Sequence, residues 1–269
     1  MEKARAFNVK KIVVLAFVSI CLLLAMFRIQ FSGSIAAGST IQRDLEIYSS
    51  QYGNQTTHIG DLIIDGNETF IIKNCTYTQT GNIYVRDNAT LILENAELFL
   101  NQTDYYQYSI HVYDAGSFLA KNIAVESNYS FGTYAHGSTV WNISDATTWR
   151  QPIYPSGLSK IMVFNSTTDM INPGDECYLT INHSTISFLP VADGNPTIMI
   201  YNSYIEHGLG ITANATVYVE NSTIVHASLT WTLDIVNFLI FFGARVGTWV
   251  PHSGFARVRA LAKPLARLS

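Results

Sequence analysis

Residues 87–100 read DNATLILENAELFL and set Asn88 seven residues ahead of Asn95, with Leu91 and Leu93 alternating with polar neighbours between them. The stretch TANATVYVENSTIVH at 212–226 repeats the device with Asn214, Asn221, Val217 and Val219. Apolar residues at a period of two lie on one face of a strand, since successive side chains point to opposite sides. The Gly, Asp and Asn residues around them mark turns. Two distant segments with one pattern suggest a repeat.

The repeat runs along most of the chain. An apolar pair stands four and two places ahead of Asn74 (Phe70, Ile72), Asn95, Asn122 (Phe118, Ala120), Asn165 (Ile161, Val163), Asn202 (Ile198, Ile200) and Asn221. Asn182 follows the pattern loosely, with Tyr178 and Thr180, while Asn142 and Asn54 keep only the beat. From Asn74 onward the intervals fall between 17 and 27 residues. A period of about 21 residues is too short for helical hairpin repeats. It suits a coil of three short strands and three turns, each strand pairing in parallel with its counterpart in the next coil about 4.8 Å away.

In this the chain resembles the right-handed parallel β-helix (pectate-lyase-like) repeat proteins, archaeal-type cell-surface members among them. The resemblance covers residues 45–228 and rests on the pattern alone. It implies an all-β fold, a single-stranded right-handed parallel β-helix of about eight coils; the apolar run at 12–27 adds an N-terminal transmembrane or signal helix ahead of it. Within such coils Asn74, Asn95, Asn122, Asn165, Asn182, Asn202 and Asn221 are expected to turn inward and stack. Each amide then donates to its neighbour's carbonyl, because buried amides are tolerable only when paired.

Charge and hydropathy divide the chain. Charged residues make up 13 %, about half the usual share. Residues 31–230 hold six cations against eighteen acids, a net charge of −12, which argues against nucleic acid as a partner. At the N-terminus Lys3, Arg5, Lys10 and Lys11 precede sixteen apolar residues at 12–27. That order describes an export signal, either cleaved or kept as a membrane anchor. The domains expected are a cytoplasmic stub with the signal or anchor helix at 1–30, a linker or N-terminal cap at 31–44, and the β-helix at 45–228. Residues 229–269, with net charge +4, read as a C-terminal cap or as a truncated or frame-shifted tail. Cys75 and Cys177 fall about five coils apart, roughly 24 Å at the strand spacing, too far for a disulfide.

Eleven Asn-X-Ser/Thr sequons occur in the chain. Repeat consensus accounts for those on the ladder and for Asn67, Asn88 and Asn214 seven residues ahead of it. Asn101 and Asn128 lie off the beat and are the expected glycan acceptors. Enzymes of the resembled fold place carboxylates on neighbouring coils, often around Ca²⁺. Asp87 and Asp114, each eight places ahead of a ladder asparagine, are the weak candidates for such a pair. The same row contains Gly66, Gly157, Gly174 and Gly194, which makes a turn the simpler reading. No catalytic residue and no cofactor is assigned.

The aromatic residues give a hint of binding, beside the plainer reading that they cover an inserted loop or serve as strand residues of good β propensity. DYYQY at 104–108 fills the longest interval, and Tyr105, Tyr106, Tyr108, Trp149 and Tyr154 form a candidate ligand surface for sugar rings or another protein. The expected role is an exported, non-catalytic cell-surface protein, structural or adhesive and carbohydrate-binding, attached to the membrane through residues 12–27 or secreted. The alternative is a polysaccharide lyase or glycoside hydrolase acting on an extracellular polymer.

Overall fold

The computed structural model describes the backbone of residues 44–48, 55–211, 214–230, 238–242, 245–252 and 258–260, and side chains within 55–211 and 214–228. The leader or anchor expected at 1–30, most of the linker at 31–44, Asn54 and the side chains of the tail lie outside the described residues. Among the described residues no helix is long and apolar enough to cross a membrane.

The chain winds as a parallel β-solenoid of about eight coils. A first row of strands stacks Thr69–Lys73, the start of Thr90–Leu100, the start of Ser117–Ser127, Val140–Ser144, Lys160–Phe164, Tyr178–Asn182, Thr197–Tyr201 and Thr216–Glu220, each parallel to the next. A second row follows the same ascent from Gln55–Ile59 through Thr167–Met170 to Thr223–Thr230. The third row is shorter. It stacks Leu62–Ile64, Ile83–Val85, Ser109–Val112, Gly132–Ala135 and Ile153–Pro155, then ends in a bridge from Ile153 to Ile171. The tail continues this pairing, with Phe238–Phe242 on the first row and Arg245–His252 on the second.

Alternation places the core. The column Phe70, Leu91, Phe118, Trp141, Ile161, Leu179, Ile198, Val217 runs inside the first row, and every member is buried. Its partner column runs from Ile72 through Ile143 and Ile181 to Val219. Like residues sit upon like because the register between coils is in phase, so no coil has to hide an apolar face alone.

The turn between first and second rows differs from the expectation in its direction. Asn74, Asn95, Asn122, Asn165, Asn202 and Asn221 all have φ between 47° and 55°, and all are exposed. Asn95 Nδ2 still donates to Asn74 Oδ1 at 3.2 Å, and Asn122 Nδ2 to Asn95 Oδ1 at 2.9 Å. The column therefore stacks outside the coil. Left-handed backbone costs an ordinary L-residue about 1–2 kcal/mol, and Asn and Asp bear it best after Gly. Two members also change. Asp145 (φ 55°) holds the place expected of Asn142, and His183 (φ 51°) the place expected of Asn182. Asn182 is the last residue of its strand, where its carbonyl oxygen Oδ1 accepts from Asn202 Nδ2 at 3.3 Å. Measured from Asp145 and His183, the apolar pairs become Trp141/Ile143 and Leu179/Ile181, and the pattern is strict.

The buried ladder belongs to the next residue. Ser166, Ser184, Ser203 and Ser222 follow the left-handed corner and point inward. Each Oγ donates to the carbonyl two residues back, at 2.6–2.8 Å. Each also accepts a backbone N–H from the coil before: Ala146 to Ser166, Ser166 to Ser184, Ser184 to Ser203 and Ser203 to Ser222, at 3.0–3.2 Å. A donor that the parallel ladder leaves open at the corner is satisfied in this way.

Two stability outcomes follow. Asn95→Leu is expected to lose about 1–2 kcal/mol through its left-handed backbone, and Asn95→Gly less, since Gly adopts that region freely. Urea midpoints for the two variants check this, and equal losses would trace the column to amide pairing instead. Ser203→Ala strands the buried Ser184 N–H and is expected to cost about 1–3 kcal/mol, read in the same way.

Candidate functional site

The coil geometry holds one length constant and leaves another free. From the corner ahead of the first row to the corner after it the count is always eight residues: Gly66 to Asn74, Asp87 to Asn95, Asp114 to Asn122, Gly137 to Asp145, Gly157 to Asn165, Asp175 to His183 and Gly194 to Asn202, every one at positive φ. All variation in coil length falls elsewhere, chiefly at the corner between second and third rows. Additions there can project side chains without disturbing the stack.

Two loops stacked at this corner, 101–108 and 128–131, carry the tyrosines. Buried Gln102 ties them together. Its Nε2 donates to Tyr129 O at 2.6 Å and to Ser127 Oγ at 3.0 Å, and its Oε1 accepts from Tyr108 N at 3.1 Å. Tyr106 N donates to Ser130 O at 2.8 Å, and Thr103 N to Gln107 Oε1 at 2.8 Å. The result is a braced platform with Tyr105 65 % exposed, Tyr106 57 % and Tyr129 37 %. Tyr105 and Tyr129 meet edge to face, centroids 5.1 Å apart and planes at 72°. Such a pair leaves ring face open for a ligand to stack on.

The other expected surface residues go elsewhere. Trp149 is buried in the core against Phe118 and Trp141, so it cannot face a ligand. Tyr108 is partly buried and packs on the core. Tyr154 belongs to a second aromatic assembly, on the third row, that sequence reasoning missed. Tyr84, His111, Tyr134 and Tyr154 occupy one outward column in register, with centroids 5.5, 4.8 and 5.1 Å apart and planes within 15°. Tyr113 and His136 form a parallel column beside it, 5.3 Å apart. The signal lay in IYVRD, IHVYD, TYAHG and IYPSG, each with polar or aromatic residues at two alternate positions. Tyr84 and Tyr134 cover both faces of His111, so this stack offers ring edges rather than faces.

Burial in the stack lowers the affinity of both imidazoles for a proton. His111 is held below the usual histidine range by burial and then by the nearby His136, and His136 by burial against an opposing pull from Asp175. His111 Nδ1 is buried without a hydrogen-bond partner, while Nε2 lies 2.7 Å from Ser109 Oγ. His136 Nδ1 lies 2.8 Å from Ser156 Oγ.

The acidic candidates are turn residues. Asp87 and Asp114 stack on adjacent coils at φ 58°. Asp87 Oδ2 accepts from Gly66 N at 3.0 Å, Asp114 Oδ2 from Asp87 N at 3.3 Å, and Asp175 Oδ2 from Gly157 N at 2.8 Å. Asp175, not Gly174, continues their row, and Gly137, Gly157 and Gly194 in it are required by contact as well as by φ, since a Cβ at Gly194 would collide with the Asp175 backbone. Among the described residues no three His, Cys, Asp or Glu side chains are placed to hold a metal ion. Cys75 and Cys177 are buried and unbonded.

The histidine stack yields a pH dependence with a definite sign. The folded imidazoles take up protons below the pH at which the unfolded chain does, about 6.5. Stability is therefore full above about pH 6.5 and falls as the pH drops below it. Thermal midpoints between about pH 7.5 and 5 should decline accordingly, ahead of most carboxylate titration, and His111→Phe with His136→Phe should flatten the slope. An unchanged slope in that double variant would place the titrating groups elsewhere.

Comparison with protein-family models, with curated proteins and with solved structures finds no match for this chain.

Proposed function

We propose that this is an exported, non-catalytic surface protein of the right-handed, pectate-lyase-like β-helix type that binds carbohydrate through its loop tyrosines. The observation that carries the reading is the platform of Tyr105, Tyr106 and Tyr129, exposed on two loops that buried Gln102 and the Tyr106 N–H to Ser130 O bond tie together. A rigid aromatic surface loses little conformational entropy on binding, and ring faces suit the C–H faces of sugars. The basic start followed by the apolar run at 12–27 supports export, with the membrane as anchor or as barrier crossed. Surface location also suits Asn101 and Asn128 as glycan acceptors, since both are exposed beside the tyrosine loops. Asn74, Asn142, Asn165 and Asn221 are exposed as well, so burial gives no reason to exclude them. The hydrolase or lyase reading is weaker, because the carboxylates of Asp87 and Asp114 are spent on backbone N–H groups at turns.

Affinity electrophoresis of the full chain in gels containing a soluble β-glucan, a galactomannan or an acidic polygalacturonan tests the reading. At least one polymer should retard the protein, and Tyr105→Ala with Tyr129→Ala should weaken retardation about tenfold, the equivalent of two lost stacking contacts. Free migration in every gel, or retardation indifferent to both substitutions, would overturn it.

A further inference from the structure

One coil beyond the tyrosine loops, the second row is recessed. The strand Ser117–Ser127, which leads into the Tyr129 loop, pairs with Thr148–Trp149, and that strand pairs with Thr167–Met170. The segments 147–150 and 167–169, with Ser187 of the next strand, border a hollow of about 360 Å³, lined by Thr147, Thr148, Arg150, Thr167, Asp169 and Ser187. That volume falls within the about 300–1,000 Å³ of small-molecule sites.

Arg150 and Asp169 follow the paired residues Trp149 and Thr168, so they stand opposite one another on strands about 4.8 Å apart. Opposite charges at that spacing ordinarily close on each other. Two pairs among the described residues do: Lys73 meets Glu94 at 2.8 Å across the same kind of step, and Arg86 meets Asp65 at 3.5 Å, whereas Lys121, in register with the already engaged Glu94, forms no ion pair with it. Yet neither Arg150 nor Asp169 makes a side-chain hydrogen bond or ion pair with another described residue, and both line the hollow. Its walls thus supply an open fork of donors, an open pair of acceptors and, beside them, the hydroxyls of Thr148 and Thr167, which serve as either.

A ligand matching this set must donate and accept at adjacent atoms. Vicinal hydroxyls do so, since each gives one hydrogen bond and accepts others. Charge narrows the class further. Glu126 faces Arg150 from the coil before, and Glu206 accepts from Ser187 Oγ at 3.3 Å in the coil after. With Asp169 that sets three acids around one cation, and a carboxylated sugar would meet net repulsion.

We propose that this recess is a subsite for a neutral hexopyranose unit whose vicinal diol bridges Arg150 and Asp169. The proposal rests on the carbohydrate-binding reading of the neighbouring tyrosines and extends it to a second, polar contact on the same polymer.

The test is a nuclear magnetic resonance titration of the ¹⁵N-labelled full chain with methyl α-mannopyranoside, methyl β-glucopyranoside and methyl β-glucuronide. At least one neutral glycoside should shift the Arg150 Nε–H signal and the Thr148 and Thr167 amides, and the glucuronide should shift them much less. Arg150→Met and Asp169→Asn, both at exposed positions, should each weaken the neutral glycoside at least tenfold. Tyr105→Ala with Tyr129→Ala should leave this titration unchanged. Silence at Arg150 with both neutral glycosides, indifference to Arg150→Met and Asp169→Asn, or preference for the glucuronide would overturn the subsite. If polymer retardation still depends on the tyrosines in that case, only the subsite falls. A recess that titrates as expected beside tyrosines without effect on retardation would instead leave the subsite standing and remove the tyrosine reading.

Discussion

A backbone forced twice per coil into the left-handed region, eight residues apart, is the constraint on which this molecule depends. The two corners bend the chain into and out of the first row of strands, and between them the five-residue strands stay in phase from coil to coil. Each corner would cost an ordinary residue about 1–2 kcal/mol. That cost explains the residues found there: Asn, Asp and one His after the first row, Gly and Asp ahead of it. Because the spacing is constant, the inward pairs superpose, and the core grows as columns rather than as a single centre. Stability then comes from each coil and its neighbours, as in other repeat architectures.

Polar chemistry inside and outside the coil is divided by one residue. The asparagine takes the strained conformation and leaves its amide in solvent, where a stacking hydrogen bond adds little. The serine after it turns inward and satisfies both a carbonyl of its own strand and an N–H of the coil before. Asn-Ser-Thr at 165–167 and 221–223 is thus a corner, a buried hydroxyl and the start of the next strand, written in consecutive residues. The sequons at Asn165 and Asn221 have that structural origin whatever is attached to them. The same division governs the acids. Asp87, Asp114 and Asp175 cap backbone N–H groups in their row, and the stacking of Asp87 on Asp114 follows from the turn geometry.

Freedom lies where the count of residues varies. Coils from the third to the fifth place their additional or shortened chain at the corner beyond the second row, and there the braced tyrosines and the recess beside Arg150 appear. Loops mounted on a rigid scaffold are the usual place for binding residues. The third row behaves differently, since its outward rings are brought within 4.8–5.5 Å by strand spacing and fill one another's faces. Aromatic residues in one chain thus serve as a platform, as a self-stacked spine and, with Trp141 and Trp149, as core.

The amino-acid order by itself determined the period, the parallel coil and the inward columns, because alternation and turn residues are local and repeat without reference to the rest of the chain. Phe70 with Ile72 and Leu91 with Leu93 needed no coordinates to be recognised as core. Tertiary structure decided the direction of the asparagines, the substitution of Asp145 and His183 into their column, the burial of Trp149 and the partnership of Tyr84 with His111, Tyr134 and Tyr154. Each of these turns on which residues of different coils meet. Coil lengths vary from one turn to the next, so counting along the chain cannot fix that register, whereas hydrogen bonding between stacked strands does.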